Sequence, residues 1–372
     1  MLSELDDTLW HQLPTTFDHV GTSDPRFFDR YWFAVYEPEG RGALQFTLGV
    51  YNNMNVVDGG FVVIHDGRQH NLRVSRSLRP RFDTTCGPMR VEMVRPFEQF
   101  RLLVDPGGHH VHGELEWVGV LPPEEEKPHF ERARGRVAQE YQRFDQIGEC
   151  SGWLDIDGDR IDVDRWWGCR DHSWGVRPSM GIPEPVTGPT PPPAQVGSLF
   201  AFLFFSTDTL AGHVQVMERG TARVYLTGLL RDRSDLGAPD IHVRDATLHI
   251  EFHEGTRRFR TVDLDLEVED GRRLALHADA LGPSIAMPGL GYSGGYDDGR
   301  GLGVWRGDDH REAEVWDVRH PSDVVLADGS VQTPVHRIQP VRVQVSGDAP
   351  TSVGTGSLTM IANGRLPQHG LD

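Results

Sequence analysis

The sequence has few cysteines, and it lacks both a leader-like start and a long apolar run. Three cysteines in 372 residues are an odd number, which disfavours a disulfide framework and suits a reducing compartment. The first residues show no basic stretch followed by an apolar one, so no signal peptide is predicted. The longest apolar run, residues 199–205, is too short to cross a bilayer as a helix. We therefore expect a cytoplasmic protein without a transmembrane segment.

Basic residues are also scarce relative to acidic ones. Lysine and arginine number 37 against 55 acidic residues, which gives a formal net charge of −18. So negative a surface repels phosphate backbones and anionic headgroups, which excludes nucleic acids and charged membranes as main partners. There is no P-loop and no Gly-x-Ser-x-Gly elbow, and the Gly-rich segment 288–296 lacks the context of a dinucleotide site. We expect no cofactor, and the oligomeric state stays open.

What the sequence has in abundance is period-two alternation between turn residues. Its 42 glycines and 25 prolines indicate many turns. Residues 153–163 and 262–278 each predict a hairpin, and a strand at 60–65 ends in an Asp-Gly turn. Within 262–268 the apolar residues share one face while the acidic residues between them face water. One-sided strands at short spacing predict an all-β protein of antiparallel barrels or sandwiches.

Helical patterns are confined to two short segments. Residues 3–13 form a candidate helix capped by Ser3, and residues 130–144 form a candidate linker helix. The length indicates two domains, which we place at 1–145, with both helices, and at 146–372. Residues 178–195, rich in Pro and Gly, predict a long loop that is either a lid over a pocket or a surface insertion.

The chemically richest segment is residues 166–177, Trp-Trp-Gly-Cys-Arg-Asp-His-Ser-Trp-Gly-Val-Arg. Asp171 and His172 are adjacent proton-handling side chains among aromatic residues, and such surroundings can raise the pKa of a carboxyl toward neutrality. Arg170 and Arg177 can hold a carboxylate or a substrate oxygen. On a strand, Arg170 and His172 face one side and Asp171 the other. Asp171 can therefore act as a proton donor if both arginines point away from it, and it is an ionised structural anchor if Arg177 or another arginine pairs with it.

The segment Arg170–Gly175 with Arg177, placed after a strand hairpin, resembles a known superfamily. It is similar to the double-lipocalin proteins that include carotenoid 1,2-hydratase, AttH-like proteins, kievitone hydratase and fungal Diels–Alderases, in an uncharacterised actinobacterial-type branch. A weaker match covers residues 30–33 and 51–59. The resemblance implies two lipocalin-like β-barrels packed side by side, with the motif in the second and a hydrophobic cavity near their interface. It also implies proton-driven hydration, cyclisation or pericyclic chemistry on apolar molecules.

Each candidate residue of the motif has a chemical role and a structural alternative. Asp171 would donate a proton, His172 would orient it or activate a water, and Trp167 or Trp174 would stabilise a cation through the ring face. Alternatively, Asp171 and His172 close a barrel end through backbone hydrogen bonds, and at least one tryptophan is core. Trp166 and Trp167 cannot line the same cavity, because neighbours on a strand face opposite ways. The candidate catalytic residues are Arg170, Asp171, His172 and Arg177.

Other candidates for substrate binding lie outside the motif. Asn53 and Asn55 either form a turn or fix a substrate hydroxyl or ketone. Tyr292 is either a phenolic donor or part of a mobile loop. No metal site is predicted, because neither His109–His112 nor Cys169-x-x-His172 has a partner pair at zinc spacing. The candidate binding residues are Asn53, Asn55, Trp167, Trp174 and Tyr292.

Three kinds of function remain open at this point. The first is an acid–base enzyme that hydrates, isomerises or cyclises an alkene in an isoprenoid- or steroid-like substrate. The second is a non-catalytic carrier of a hydrophobic small molecule. The third is a scaffold whose cavity is filled by side chains. The concentration of titratable groups in the motif favours the enzyme, because such groups are costly to bury without a use.

Overall fold

Nearly all regular structure in the protein is β-strand. The computed structural model describes residues 2–133, 135–181, 188–189 and 196–371, and this part holds 24 strands and five short 3₁₀ segments. The all-β prediction is thus confirmed. No helix in these residues is long and apolar enough to cross a membrane.

The 24 strands are numbered in chain order. The first twelve are β1 Phe27–Tyr36, β2 Ala43–Tyr51, β3 Val56–His65, β4 Arg68–Ser77, β5 Thr85–Cys86, β6 Met89–Arg95, β7 Gln99–Val104, β8 Val111–Gly119, β9 Glu124–Glu125, β10 His129–Ala133, β11 Arg136–Ile156 and β12 Asp159–Val176. The others are β13 Ser198–Thr207, β14 Leu210–Arg219, β15 Ala222–Asp232, β16 Ile241–Phe252, β17 Phe259–Val268, β18 Arg273–Ala280, β19 Ile285–Ala286, β20 His310–Asp317, β21 Val324–Val325, β22 Val331–Gln332, β23 Arg337–Gly347 and β24 Ser352–Asn363. The 3₁₀ segments are Glu4–Asp7, Asn52–Met54, Met287–Leu290, Tyr292–Gly294 and Pro367–His369.

The first sheet contains β1 to β12 and curls around one apolar core. Its order is β22-β21-β20-β4-β3-β2-β1-β12-β11-β8-β7-β6-β5, with β9 and β10 paired to β11. Leu72 of β4 and Phe100 of β7 pack in the same buried cluster although many strands separate them in the sheet. The sheet must therefore curve until its distant strands meet. Strands β20 to β22, which come late in the chain, extend this sheet beyond β4.

The second sheet is a closed antiparallel barrel of eight strands. Strands β13 to β18, β24 and β23 follow one another, and β18 pairs with β23 to close the ring. The predicted alternation of β17 is confirmed, because Leu264, Leu266 and Val268 are buried in the barrel core. The predicted hairpins also form, with β3–β4 turning at Asp66-Gly67 and β11–β12 at Asp157-Gly158.

Strand β1 shows how the two sheets pack. Phe33 and Val35 point into the core of the first sheet, whereas Trp32, Ala34 and Tyr36 point the other way, into a second cluster shared with the barrel. Since side chains alternate along a strand, β1 is buried on both faces. The layer between the two sheets is therefore part of the core, and it is where the motif strand lies.

Three expectations from the sequence need correction. The prediction of a linker helix at 130–144 is wrong. These residues belong to β10 and the start of the long strand β11. Pairing with neighbouring strands outweighs their helix propensity. The N-terminal helix is only the 3₁₀ segment Glu4–Asp7, capped by Ser3. The expected domain boundary after residue 145 falls inside β11, and the motif strand β12 pairs with β1 in the first sheet.

The long loop predicted at 178–195 lies mostly outside the described residues. Pro178 to Gly181 and residues 188–189 are described.

Candidate active site

Strand β12 presents the motif between two partner strands. In the register, Asp171 lies opposite Trp32 of β1 on one side and opposite Asp145 of β11 on the other. Two residues along β12, Ser173 lies opposite Arg143. Side chains at alternate positions share a face, so these residues form one aromatic and polar patch that faces the barrel.

A cavity of about 210 Å³ lies where this patch meets the barrel, and we call it the inner cavity. From the first sheet and the residue after it, the wall receives Trp32, Tyr141, Arg143, Asp171 and Arg177. From the barrel strands it receives Phe200, Phe202, Ile338, Thr359 and Ile361. From the connections between strands it receives Met287, Tyr292 and His336.

An outer cavity of about 700 Å³ adjoins the inner one. The two share Tyr141, Arg177, Tyr292, His336 and Ile361, which mark the passage between them. A further cavity of about 570 Å³, lined partly by residues 252–258, contains no residue of the motif. Although it is larger than the inner cavity, the carboxyl in its lining belongs to the exposed Glu254, whereas Asp171 lies among the aromatic residues of the inner wall.

The carboxyl of Asp171 faces the inner cavity and has no salt-bridge partner in the described part of the chain. Ser173 Oγ approaches its Oδ1 at 3.5 Å, which is a weak hydrogen bond. Burial raises the pKa of Asp171, and the positive charges of Arg143 and Arg177 cancel part of that rise. Asp171 is therefore biased toward its protonated form, the form that a proton donor requires.

The two arginines of the motif lie in different places. Arg170 points into the first sheet, where Gln146 Oε1 accepts its hydrogen bonds at 3.0 and 2.8 Å. Its guanidinium also lies over several rings of that core, with Phe100 at 4.5 Å. Arg177 lines both cavities and stacks on Phe28 at 4.5 Å. Neither arginine forms a salt bridge with Asp171 among the described residues, although Arg177 lines the same cavity as Asp171.

His172 and Trp174 lie on the opposite face of β12 from Asp171. His172 Nε2 is 2.7 Å from Asp29 Oδ1, and its ring packs 4.6 Å from that of Tyr31. Trp174 is 37% exposed. The expected pairing of His172 with Asp171 is therefore absent, because strand alternation separates the two side chains.

The other tryptophans follow the predicted alternation. Trp166 packs against the core of the first sheet, and Trp167 packs between the sheets, stacked on Tyr36 at 5.9 Å. Trp167 is thus beside the inner cavity but is not among the residues that line it. Tyr292 does line it, with the Arg30 guanidinium 5.1 Å from its ring.

Asn53 and Asn55 both occupy structural positions. Asn53 Nδ2 donates to the carbonyls of Thr22 and Asp24 at 2.8 and 2.9 Å. Asn55 has a left-handed backbone, with φ of 57°, and its Oδ1 accepts the backbone N–H of Arg79 at 2.9 Å. Of the two alternatives for this pair, the structure shows the turn.

A buried charge cluster lies behind Asp171, and the sequence did not reveal it. It consists of Glu126, His129, Arg143 and Asp145. Glu126 lies 2.7 Å from Arg143 and 2.9 Å from His129 Nε2, and Arg143 Nε is 3.8 Å from Asp145 Oδ1. From the barrel, Gln215 accepts a hydrogen bond from Arg143. The cluster therefore ties the first sheet to the barrel.

The pKa values of two carboxyls in this cluster shift in opposite directions. Burial raises the pKa of Asp145 well above its usual value, and the negative charge of Glu126 raises it further. Burial also acts to raise the pKa of Glu126, but Arg143 and the hydrogen bond with His129 outweigh it, so this pKa is lowered. Because two neighbouring buried carboxylates repel each other's charge, a proton in this pair is favoured on Asp145 rather than on Glu126.

The sequence failed to indicate these residues for two reasons. Arg143 falls in the segment interpreted as a helix and Asp145 directly follows it, which hid their period-two alternation with Tyr141. His336 comes from a connection near the end of the chain, and only the packing of the two sheets brings it to the inner cavity. Burial, together with Arg177 and Arg258, lowers its pKa to about 3, so His336 is a neutral imidazole at pH 7.

Replacing Asp145 with asparagine is expected to stabilise the protein progressively as the pH rises. The pKa of Asp145 is raised by folding, so the folded state binds more protons than the unfolded state above about pH 4. Stability is then lost with rising pH, at up to about 1.4 kcal/mol per pH unit, until the folded pKa is passed. Asp145→Asn removes this loss. Denaturant unfolding at several pH values from 5 to 8 measures the difference, and a pH-independent destabilisation would contradict the protonated Asp145.

Two groups of described residues have ligand atoms close enough for a metal ion. Glu126, Asp145 and His213 form one such group. There the guanidinium of Arg143 already supplies the positive charge, and His213 Nδ1 is held 2.8 Å from Glu124. We therefore assign no metal to the candidate active site. The other group lies elsewhere in the first sheet.

Solved structures with the same architecture include fungal proteins of the superfamily that the motif resembles. Kievitone hydratase from Nectria haematococca has a TM-score of 0.50 at 9% identity, with 93% of each chain covered. CghA with Sch210972 has a TM-score of 0.50 at 10% identity, covering 91% of this chain and 89% of the other. The chain thus shares the fold of these two structures, and identities this low carry the likeness no further than the fold.

The sequence itself belongs to a family of unknown function (DUF8625), which matches residues 2–372. None of the curated proteins matches it. The function must therefore be argued from the site.

Proposed function

We propose that the protein is a cofactor-independent acid–base enzyme that acts on an alkene of an apolar small molecule. The observation that carries this proposal is the carboxyl of Asp171, which faces a cavity between the two sheets with a raised pKa and without a salt-bridge partner among the described residues. A carboxylic acid kept protonated beside an aromatic wall can protonate a carbon–carbon double bond.

Aromatic rings of the cavity wall can stabilise the cation that forms when Asp171 protonates the double bond. Trp32 lies opposite Asp171 on the neighbouring strand, and its indole N–H is bonded to Gln45 at 3.1 Å. The polar edge of the indole is thus satisfied inside the sheet. Ring faces stabilise cations through their quadrupole, so Trp32 and Phe202 are the residues that would accommodate positive charge. Asp171 becomes a carboxylate in this step.

The fate of the cation distinguishes the three reactions. In hydration, a water adds to the carbon and its proton returns to Asp171. In isomerisation, a neighbouring C–H proton goes to Asp171 instead, and in cyclisation a second double bond attacks the cation before that proton is lost. Arg177, Tyr292 and neutral His336 stand at the passage to the outer cavity, where they would hold a water or a substrate oxygen.

The shape of the site favours an elongated substrate. The inner cavity accommodates a reacting end, while the larger outer cavity accommodates a tail or ring system. An isoprenoid- or steroid-like molecule with one oxygen function fits the aromatic and apolar inner wall and the polar passage. The alternative is that the protein carries such a molecule without a reaction. The free-energy cost of burying the Asp171 carboxyl would then have no functional reason.

Mass spectrometry tests the proposal directly. An organic extract of the purified protein identifies any bound lipophile, and the protein is then incubated with prenylated, carotenoid-like and steroidal alkenes. A product heavier by one water supports hydration, and a product of unchanged mass supports isomerisation or cyclisation. Recovery of a bound lipophile unaltered, with no turnover across the panel, would establish the carrier instead.

A further inference from the structure

A second polar site lies at the turn of the β11–β12 hairpin, far from Asp171. Asp157 occupies this turn, and its backbone N–H donates to the carbonyl of His110 at 2.9 Å. His70, on β4, lies close to the same turn. At about 3.3 Å per residue, Asp157 and Asp171 are roughly 46 Å apart along the strand, so the two sites are separate.

The three side chains converge on one point. His110 Nδ1 is 2.8 Å from Asp157 Oδ1, and His70 Nδ1 is 3.7 Å from Asp157 Oδ2. One ligand atom from each residue lies within 4.8 Å of the others. Two ligands of one ion, each bonded at about 2.0–2.2 Å, are separated by about 3.0–3.6 Å, so small side-chain adjustments suffice.

The buried ring of His70 is an independent observation that points to a ligand at this site. Its side chain is 7% exposed, and its Nδ1 is a buried atom that lacks a hydrogen-bond partner in the described structure. A buried polar atom without a partner costs free energy.

The surroundings leave room for further ligands. A cavity of about 410 Å³ opens beside the three residues, with His65 and Asp159 among those lining it. Arg319 is also there, but its guanidinium is paired with Asp317. Two imidazoles and one carboxylate with open positions form a ligand set suited to Zn²⁺ and neighbouring transition metals rather than to Ca²⁺ or Mg²⁺.

We propose that His70, His110 and Asp157 form a site for one divalent transition-metal ion, with Zn²⁺ as its natural class. The ion would join strand β4, the segment before β8 and the β11–β12 turn at this end of the first sheet. It would act as a structural clamp without a part in the reaction proposed at Asp171.

Calorimetric titration of the chelator-treated full chain with Zn²⁺ tests this site, and visible absorbance with Co²⁺ reports its ligand geometry. We expect one ion per chain and a higher Tm with Zn²⁺. His70→Ala should weaken binding by more than about 100-fold, since even an outer partner of a metal ligand contributes about 10- to 100-fold. Asp157→Asn, at a half-exposed turn, should weaken binding similarly even if His70→Ala disturbs folding.

His112→Ala is the matched control. It removes a histidine from the same segment that is outside the group of three, so Zn²⁺ affinity should be unchanged. Equal losses with His112→Ala and His70→Ala would indicate nonspecific binding by surface histidines and overturn the proposal. Absence of Zn²⁺ binding to the wild-type chain, or retention of full affinity in Asp157→Asn, would overturn it as well.

Discussion

Asp171→Asn is expected to lower turnover of the alkene substrate by at least about 10²- to 10⁴-fold, the usual contribution of general acid catalysis. The amide is nearly isosteric with the carboxylic acid, so the volume of the inner cavity is retained. It lacks the acidic proton, and Ser173 can still donate its weak hydrogen bond to the amide oxygen. Affinity for the substrate should therefore persist while the chemical step fails, which separates a catalytic from an architectural role.

The comparison needs both a binding measurement and a matched carboxyl. Quenching of tryptophan fluorescence by substrate reports affinity, because Trp32 lines the cavity. Asp29→Asn makes the same chemical change on the other face of the sheet, at an exposed carboxyl, and should leave turnover near the wild-type value. Normal turnover by Asp171→Asn would show that Asp171 is not the proton donor, and loss of the fold in this variant would favour an architectural role.

Arg143→Ala is expected to produce the largest loss of stability, about 3–5 kcal/mol in the free energy of unfolding. This is the cost of removing one partner from a buried ion pair and leaving the other charge uncompensated. Arg143 is 2.7 Å from Glu126 and stacks on Phe202 of the barrel at 4.7 Å. Its removal therefore also weakens the contact between the two sheets. Denaturant unfolding followed by circular dichroism measures the loss.

Two further variants test the reason for this effect. Arg177→Ala removes an arginine that lines the same cavity but stacks only on Phe28, and it should cost much less. Combining Arg143→Met with Glu126→Gln and Asp145→Asn removes the charges together, and it should recover most of the loss, because replacing a whole buried ion cluster is often nearly neutral. A loss below about 1 kcal/mol for Arg143→Ala, the value of an exposed pair, would show that the cluster is not desolvated.

Local patterns predicted much of the fold because they depend only on neighbours in sequence. The alternation in β17 and the turn residues at 66–67 and 157–158 set strands and hairpins wherever they occur. The same dependence on neighbours in sequence explains the wrong prediction of a helix at residues 130–144. Their Ala, Gln and Glu residues favour a helix, while a 21-residue strand is stabilised by partners that are distant in sequence. Gly175 also depends on distant partners, since its positive φ occurs within β12, where a Cβ would lie 2.4 Å from Glu140 O.

The sequence by itself determined that the protein is all-β, that its titratable and aromatic residues concentrate in 166–177, and that Arg170 and Asp171 face opposite ways. Each of these follows from composition or from the period of a strand. Only the tertiary structure decided which face of β12 meets the barrel, and hence that Asp171 lines a cavity while His172 does not. It also decided that Asp145 stands opposite Asp171, with Glu126 behind it. The physical reason is that pairing and packing join residues far apart in the chain, and no local pattern records which of them will meet.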